Sequence, residues 1–134
     1  SPGVQAAMRY ILQHYRRAIE LRELASIANL GTSRFSQLFR EKFGSSPIEF
    51  VVEYRLERAR VLLQSTDLPI REIIDYLGLE SQSYFSRKFK LRHGMSPSEC
   101  RKKARRTLIV RVGGGVGSAG GRGRRPIGPR AGDG

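Results

Sequence analysis

The stretch Ser46-Pro47-Ile48-Glu49-Phe50-Val51-Val52-Glu53-Tyr54-Arg55-Leu56-Glu57-Arg58-Ala59-Arg60-Val61-Leu62-Leu63 decides the fold. Its first four residues form a capping box, in which the serine hydroxyl and the glutamate carboxylate each satisfy a backbone N–H. Pro47 stands at the first helical position, where a missing N–H costs nothing. Ile48, Val52, Leu56, Ala59 and Leu63 recur at spacings of three and four, with Glu49, Glu53, Glu57 and Arg60 between them. That is the pattern of an amphipathic helix. From Ile48 to Leu63 it would run about 24 Å at about 1.5 Å per residue. A strut of that length can hold two small units at a fixed separation.

An internal repeat supplies the two units. Before the strut the chain reads Ser33-Arg34-Phe35-Ser36-Gln37-Leu38-Phe39-Arg40-Glu41-Lys42-Phe43-Gly44-Ser45-Ser46-Pro47. Fifty positions on it reads Ser83-Tyr84-Phe85-Ser86-Arg87-Lys88-Phe89-Lys90-Leu91-Arg92-His93-Gly94-Met95-Ser96-Pro97, identical at seven of the fifteen positions. The capping box returns as Ser96-Pro97-Ser98-Glu99, and Leu21-Arg22-Glu23-Leu24 is echoed by Ile70-Arg71-Glu72-Ile73 at an offset of 49. Two copies are too few for a solenoid, so the pattern is a duplicated supersecondary unit.

Around this frame the pattern is helical throughout. Val4, Ala7, Met8, Ile11, Leu12 and Tyr15 mark a first amphipathic helix. A short helix near Leu21 to Ala28, a turn at Asn29-Leu30-Gly31-Thr32 and a third helix from about Ser33 to Phe43 make a helix-turn-helix. After the loop Ser65 to Pro69, Ile70, Ile73, Ile74 and Leu77 mark a helix ending at Gly78, and Ser81 caps another that ends at His93. A last short helix starts at Pro97 and merges into the basic run Arg101 to Arg106. The reading is an all-α fold of seven helices. Residues 1–45 are the first helix-turn-helix subdomain, 46–64 the long linker helix, 65–106 the second subdomain, and 107–134 a disordered basic Gly/Arg-rich tail. From Gly113 onward ten of twenty-two residues are glycine, a composition that builds no core.

Charge must be read by region. The net charge is +13, yet residues 101–134 hold ten Lys or Arg against one acid, while residues 1–100 hold fifteen against eleven. The pI of about 11.0 therefore belongs mainly to the tail and says little about the folded part. No run is long enough to cross a membrane, and no secretory leader is visible. The chain opens Ser1-Pro2-Gly3 without a methionine, as a fragment or a processed chain would. A lone Cys100 argues for a reducing compartment and against a disulfide framework or a cysteine-rich metal site.

Function follows from the helix faces. In the third helix Phe35, Leu38, Phe39 and Phe43 share one face, and Ser33, Ser36, Gln37 and Arg40 the other. In the sixth, Phe85, Phe89 and His93 lie inward and Ser83, Ser86, Arg87 and Lys90 outward. Each outer face carries two hydroxyls, one long hydrogen-bonding side chain and one cation. Such a face suits the major groove: glutamine pairs with adenine, arginine with guanine, serine with either, and a cation one turn on reaches phosphate. Two such helices would enter successive major-groove faces, about 34 Å apart along the duplex.

Tyr54-Arg55-Leu56-Glu57-Arg58-Ala59-Arg60 with Leu62-Leu63, Ile70 with Ile73, Gly78, and Ser81-Gln82-Ser83-Tyr84-Phe85-Ser86-Arg87 through Phe89-Lys90 to Gly94-Met95-Ser96-Pro97 resemble the DNA-binding domain of the AraC/XylS family of bacterial transcription regulators. The resemblance runs from about Val4 to Lys103. It implies seven helices in a homeodomain-like fold, two helix-turn-helix units on a long helix, double-stranded DNA as partner, and promoter activation through RNA polymerase, in a bacterial cytoplasm on the nucleoid. It implies base-facing roles for Ser33, Ser36, Gln37, Gln82, Ser83, Ser86 and Arg87, with Arg34, Arg40 and Lys90 toward phosphate. Family members usually carry an effector-sensing domain before this region, and none is read in this chain. Three residues depart from the family pattern: Ile74 where a small residue is usual, Leu79 where an aromatic is usual, and Gly31 where a capping serine is common.

Plainer readings stand beside these. The paired phenylalanines are core, not stacking platforms. His93 aligns with Phe43 and reads as a packed helix-terminal residue favoured by the helix dipole. His14 lies far from His93 in the sequence and the chain has no paired cysteine, so no metal is expected, nor any other cofactor. Arg55, Arg58 and Arg60 fit ion pairs with Glu53 and Glu57 as well as phosphate contacts. The segment Gly120-Gly121-Arg122-Gly123-Arg124-Arg125 either adds nonspecific nucleic-acid affinity or is incidental, with the second favoured. No nucleophile–base pair, carboxylate dyad or phosphate loop can be assembled, so no enzyme is expected. The competing function is a helical protein-interaction module that contacts polymerase or a partner regulator without reading bases.

Overall fold

The computed structural model describes the backbone of residues 1–114 and the side chains of residues 1–110, and it is helical throughout. The helices are α1 (Pro2–His14), α2 (Leu21–Ile27), α3 (Thr32–Phe43), α4 (Pro47–Ser65), α5 (Ile70–Leu77), α6 (Gln82–His93) and α7 (Pro97–Gly114). They form two hydrophobic clusters. Val4, Ala7, Ile11, Leu24, Ala25, Ala28, Phe35, Phe39 and Val51 make the first; Leu56, Ala59, Leu63, Ile73, Ile74, Leu77, Leu79, Phe85, Phe89 and Cys100 make the second.

The central strut is α4, nineteen residues long, so about 28 Å at about 1.5 Å per residue. Both halves of its capping box form: Ser46 Oγ accepts from the Glu49 N–H, and Glu49 Oε1 accepts from the Ser46 N–H. α7 opens the same way through Ser96 and Glu99. In each box the serine N–H is the main cause, and its hydroxyl the second, that holds the glutamate carboxyl below its usual range. α3 and α6 both end on left-handed glycines, Gly44 at φ 87° and Gly94 at φ 77°, which close their last turns.

The inward face of α4 differs from the one its spacing suggests. Ile48 is 40% exposed and Val51 is buried in its place, while Leu56, Ala59 and Leu63 are buried as expected. The helix serves two masters: Val51 belongs to the first cluster, while Leu56, Ala59 and Leu63 belong to the second. Two cores on different sides of one helix cannot both lie on a single stripe of period 3.6. Leu12, expected inside α1, is likewise 43% exposed.

Two other expectations change. The last helix is not short: α7 continues through residues 107–114, past the boundary drawn at residue 106. The rest of the expected tail, residues 115–134, lies outside the described residues. His93 is half-buried against Phe89, with ring centroids 4.5 Å apart. Burial, ahead of every nearby charge, pushes its pKa down. That burial disfavours the cationic form and so works against the helix-dipole benefit expected of it.

The residues that depart from the family pattern are accommodated by packing. Ile74 and Leu79 are both buried in the second cluster. Gly31 stands at the N-cap of α3 without a side-chain hydrogen bond.

Candidate nucleic-acid interface

α3 is held by Phe35 and Phe39, both fully buried, and packs on α1, α2 and α4. With that side committed inward, Ser33, Arg34, Gln37 and Arg40 are exposed, and Ser36 is half-buried at the edge. α6 is held in the same way by Phe85 and Phe89 and packs on α4, α5 and α7. Gln82, Ser83, Arg87 and Lys90 are exposed, and Ser86 matches Ser36 at the edge. None of the ten residues singled out in the sequence is buried.

The two faces are differently tied. On α3, Arg34 donates to Gln37 Oε1 at 3.3 Å, and Gln37 Nε2 donates to Glu41 Oε2 at 3.3 Å. Arg40 lies 3.9 Å from Glu49, with both side chains exposed, so the pair is weak. On α6, the Arg87 guanidinium and the Lys88 ammonium lie 5.9 and 5.8 Å from the Tyr84 ring centroid. α3 carries three Lys or Arg and one Glu; α6 carries four and no acid. The second face is the more positive one.

Sequence reasoning missed the cations beside these faces, Lys42 on α3 and Lys88 and Arg92 on α6, although the repeat aligns Lys42 with Arg92 just as it aligns Arg40 with Lys90. It also left the strut arginines open. Arg60 bonds Glu57 and Gln64, as an ion-pair reading expects, and its hydrogen bond to Glu57 raises its pKa. Arg55 does neither of the things expected of it. It is half-buried and donates to three backbone carbonyls, those of Tyr15 at 2.7 Å, Arg17 at 2.8 Å and Gly78 at 3.3 Å. Burial lowers its pKa. A signal was available: Arg55 lies four residues after Val51 and four before Ala59, on the buried side of the strut.

No group of three or more His, Cys, Asp or Glu side chains able to hold a metal ion occurs among the described residues. No described helix is long and apolar enough to cross a membrane. Cys100 is a free thiol buried in the second cluster, and desolvation pushes its pKa up.

Residues 24–103 match the family described as a helix-turn-helix domain. The arabinose operon regulatory protein of Escherichia coli (strain K12) is 36% identical over 99 residues, which are 73% of this chain and 34% of that protein. The chain thus spans about a third of the length of the curated relatives it matches. Among solved structures, the C-terminal domain of AraT, a response regulator from Geobacillus stearothermophilus, is similar with a TM-score of 0.72 and 36% identity, over 77% of this chain and 86% of that one. The DNA-binding domain of the global transcriptional factor AdpA, solved in complex with a target DNA, shares the fold with a TM-score of 0.75 at 24% identity, over 78% of this chain and 95% of that one.

Proposed function

The chain belongs to the AraC/XylS-type helix-turn-helix family of transcription regulators, and from that premise we propose that it binds double-stranded DNA sequence-specifically through α3 and α6. The observation that carries this reading is the pair of exposed faces: Ser33, Ser36, Gln37 and Arg40 on one helix, Ser83, Ser86, Arg87 and Lys90 on the other, each opposite two buried phenylalanines. Hydroxyl, amide and guanidinium groups read base edges, and the cations one turn on bind phosphate. Gln82 joins the base-reading set and Arg34 the phosphate set by their places on the same exposed surfaces.

The regulatory part of the proposal is promoter activation through RNA polymerase, in the bacterial cytoplasm on nucleoid DNA. It rests on the family. A selection of bound duplexes from a random pool tests the DNA reading, with two half-sites about one helical turn apart as the expected outcome. Recovery of no consensus at moderate salt would sink it.

A second reading, docking to a protein partner, has one observation in its favour. Leu91 is 77% exposed on α6, and the partly exposed Ile48 lines the same surface groove. Leu91→Ser separates the two: it leaves duplex affinity unchanged if DNA is the partner of the outer faces, and abolishes partner capture if a protein is.

A further inference from the structure

Arg55 projects from the middle of α4 to places that the sequence keeps far apart. Tyr15 closes α1, Arg17 follows it in the loop to α2, and Gly78 closes α5. The last carbonyls of a helix have no intrahelical donor and carry the negative end of its dipole. One guanidinium thus serves the C-terminal ends of two helices, one from each half of the molecule. Its planar fork of five donors can reach three carbonyls at once, which a lysine ammonium on a single flexible stem cannot reproduce.

Three further contacts lie at the same junction. Arg16 donates from Nε to the Tyr76 carbonyl at 3.0 Å, and its guanidinium lies 3.5 Å from the centroid of the Tyr76 ring. The Tyr15 ring packs into the second cluster and meets Tyr54 edge-on at 4.9 Å. At Gly78, φ is 72° and an added Cβ would come within 2.4 Å of the Arg16 carbonyl oxygen. Backbone from the two halves therefore approaches as closely as only glycine allows.

We propose that Arg55, helped by Arg16, is a positioning residue that fixes the separation of the two reading helices and so sets which half-site spacing the protein accepts. The proposal rests on the DNA-binding reading above. Linked only through α4, the halves would share a helix with no second attachment, and small twists at its ends would displace α6 relative to α3. The carbonyl clamp supplies the second attachment. An inserted base pair moves one half-site by about 3.4 Å and turns it by about 35°. A clamped protein cannot follow that displacement, and an unclamped one can.

The test uses a duplex selected by the wild-type chain, the same duplex with one base pair inserted between the half-sites, and one with the second half-site scrambled. The wild type is expected to lose about tenfold in affinity on insertion, or about 1.4 kcal/mol. Arg55→Ala should lose under about threefold on insertion, bind the parent duplex more weakly than wild type, and match it on the single half-site. An insertion penalty equal to wild type in a folded Arg55→Ala protein overturns the proposal. If that variant does not fold, Arg55→Lys and Arg16→Ala carry the same comparison, and an unchanged penalty in both overturns it equally.

A DNA-free measurement separates this from failure of the DNA reading. Spin labels on Lys42→Cys and Arg92→Cys should report a narrow distance distribution in the parent and a broad one with Arg55→Ala. Equal widths overturn the clamp even if no duplex is ever bound. A broad distribution only in the variant upholds it.

Discussion

α3 and α6 each bury two phenylalanines four residues apart and each end on a left-handed glycine, but they begin and finish their outer faces differently. Gly31 gives α3 no side-chain cap, whereas the Ser81 hydroxyl accepts the Tyr84 N–H at 3.2 Å. Gln37 is engaged on both sides by Arg34 and Glu41, while Arg87 has no acid on its own helix. Behind the helices the difference continues, with Ala25 and Ala28 in the first cluster where Ile74 and Leu77 fill the second. A duplicated unit has kept its skeleton and let its surface diverge. The lesson is that the buried half of such a helix answers to packing and the outer half to its partner.

The largest test of that comparison is in the cores. Phe35→Ala and Phe85→Ala each remove a fully buried ring and should cost about 3–5 kcal/mol. Because the halves share α4 and the Arg55 junction, each variant is expected to unfold in urea as one transition. Amide exchange that stays slow in one half while the other opens would show two independent domains instead.

Next is the asymmetry of the faces. Arg87→Ala should weaken binding by about 1–3 kcal/mol and relax preference at one base pair. Gln37→Ala should cost less, since Gln37 must give up its contacts with Arg34 and Glu41 before it reaches a base. Glu41→Gln removes an acid from that face, so it should tighten binding and narrow the gap. Competition titrations across single-base variants of the site check all three. A Gln37→Ala loss equal to that of Arg87→Ala would mean the free-state contacts have no bearing on recognition.

These differences mark where sequence reading reached and where it stopped. The helix boundaries were legible because their signals are local: Ser46 with Glu49, Ser96 with Glu99, Ser81, Gly78 and the glycines after α3 and α6. The face assignments were legible because the repeat aligned Phe35 with Phe85 and Phe39 with Phe89. Contacts across the molecule were not. Val51 replaces Ile48 inside because α4 faces two clusters, and a single-stripe template cannot encode that. Arg55 meets residues 38 and 40 positions before it and 23 after it, and no periodicity links them. The length of α7 was hidden because its extension, Thr107 to Gly114, is rich in β-branched residues and ends in two glycines, a composition of low helix propensity.

His93 and Phe43 hold equivalent places, and only one titrates. Burial lowers the His93 pKa against the opposing influence of Glu57, with Arg92 and Arg60 adding to the lowering. Protons then bind the unfolded chain more readily than the folded one, so stability rises with pH through the window just below the ordinary histidine value. It falls again as the medium is made more acid. His93→Phe copies the first unit and should flatten that part of the profile. Urea midpoints measured from pH 7.5 to 5.5 give the comparison, and an unchanged slope would show that His93 is not its source.

The smallest effect concerns the caps, and it can be run in both directions. Ser81→Ala leaves the Tyr84 N–H without its acceptor and should cost about 1 kcal/mol, the usual value for a serine cap replaced by alanine. Gly31→Ser offers α3 the acceptor that α6 already has. Gly31 has φ −71° and ψ 162°, and an added Cβ there meets nothing within 4 Å. A serine therefore needs no rearrangement, and the gain should be only a few tenths of a kcal/mol, because glycine is itself a fair cap. Thermal melts of the two single variants and the double variant give both terms, and the changes should add because the sites share no partner. A Gly31→Ser chain less stable than its parent would mean that the first unit's open cap is held by something other than the missing side chain.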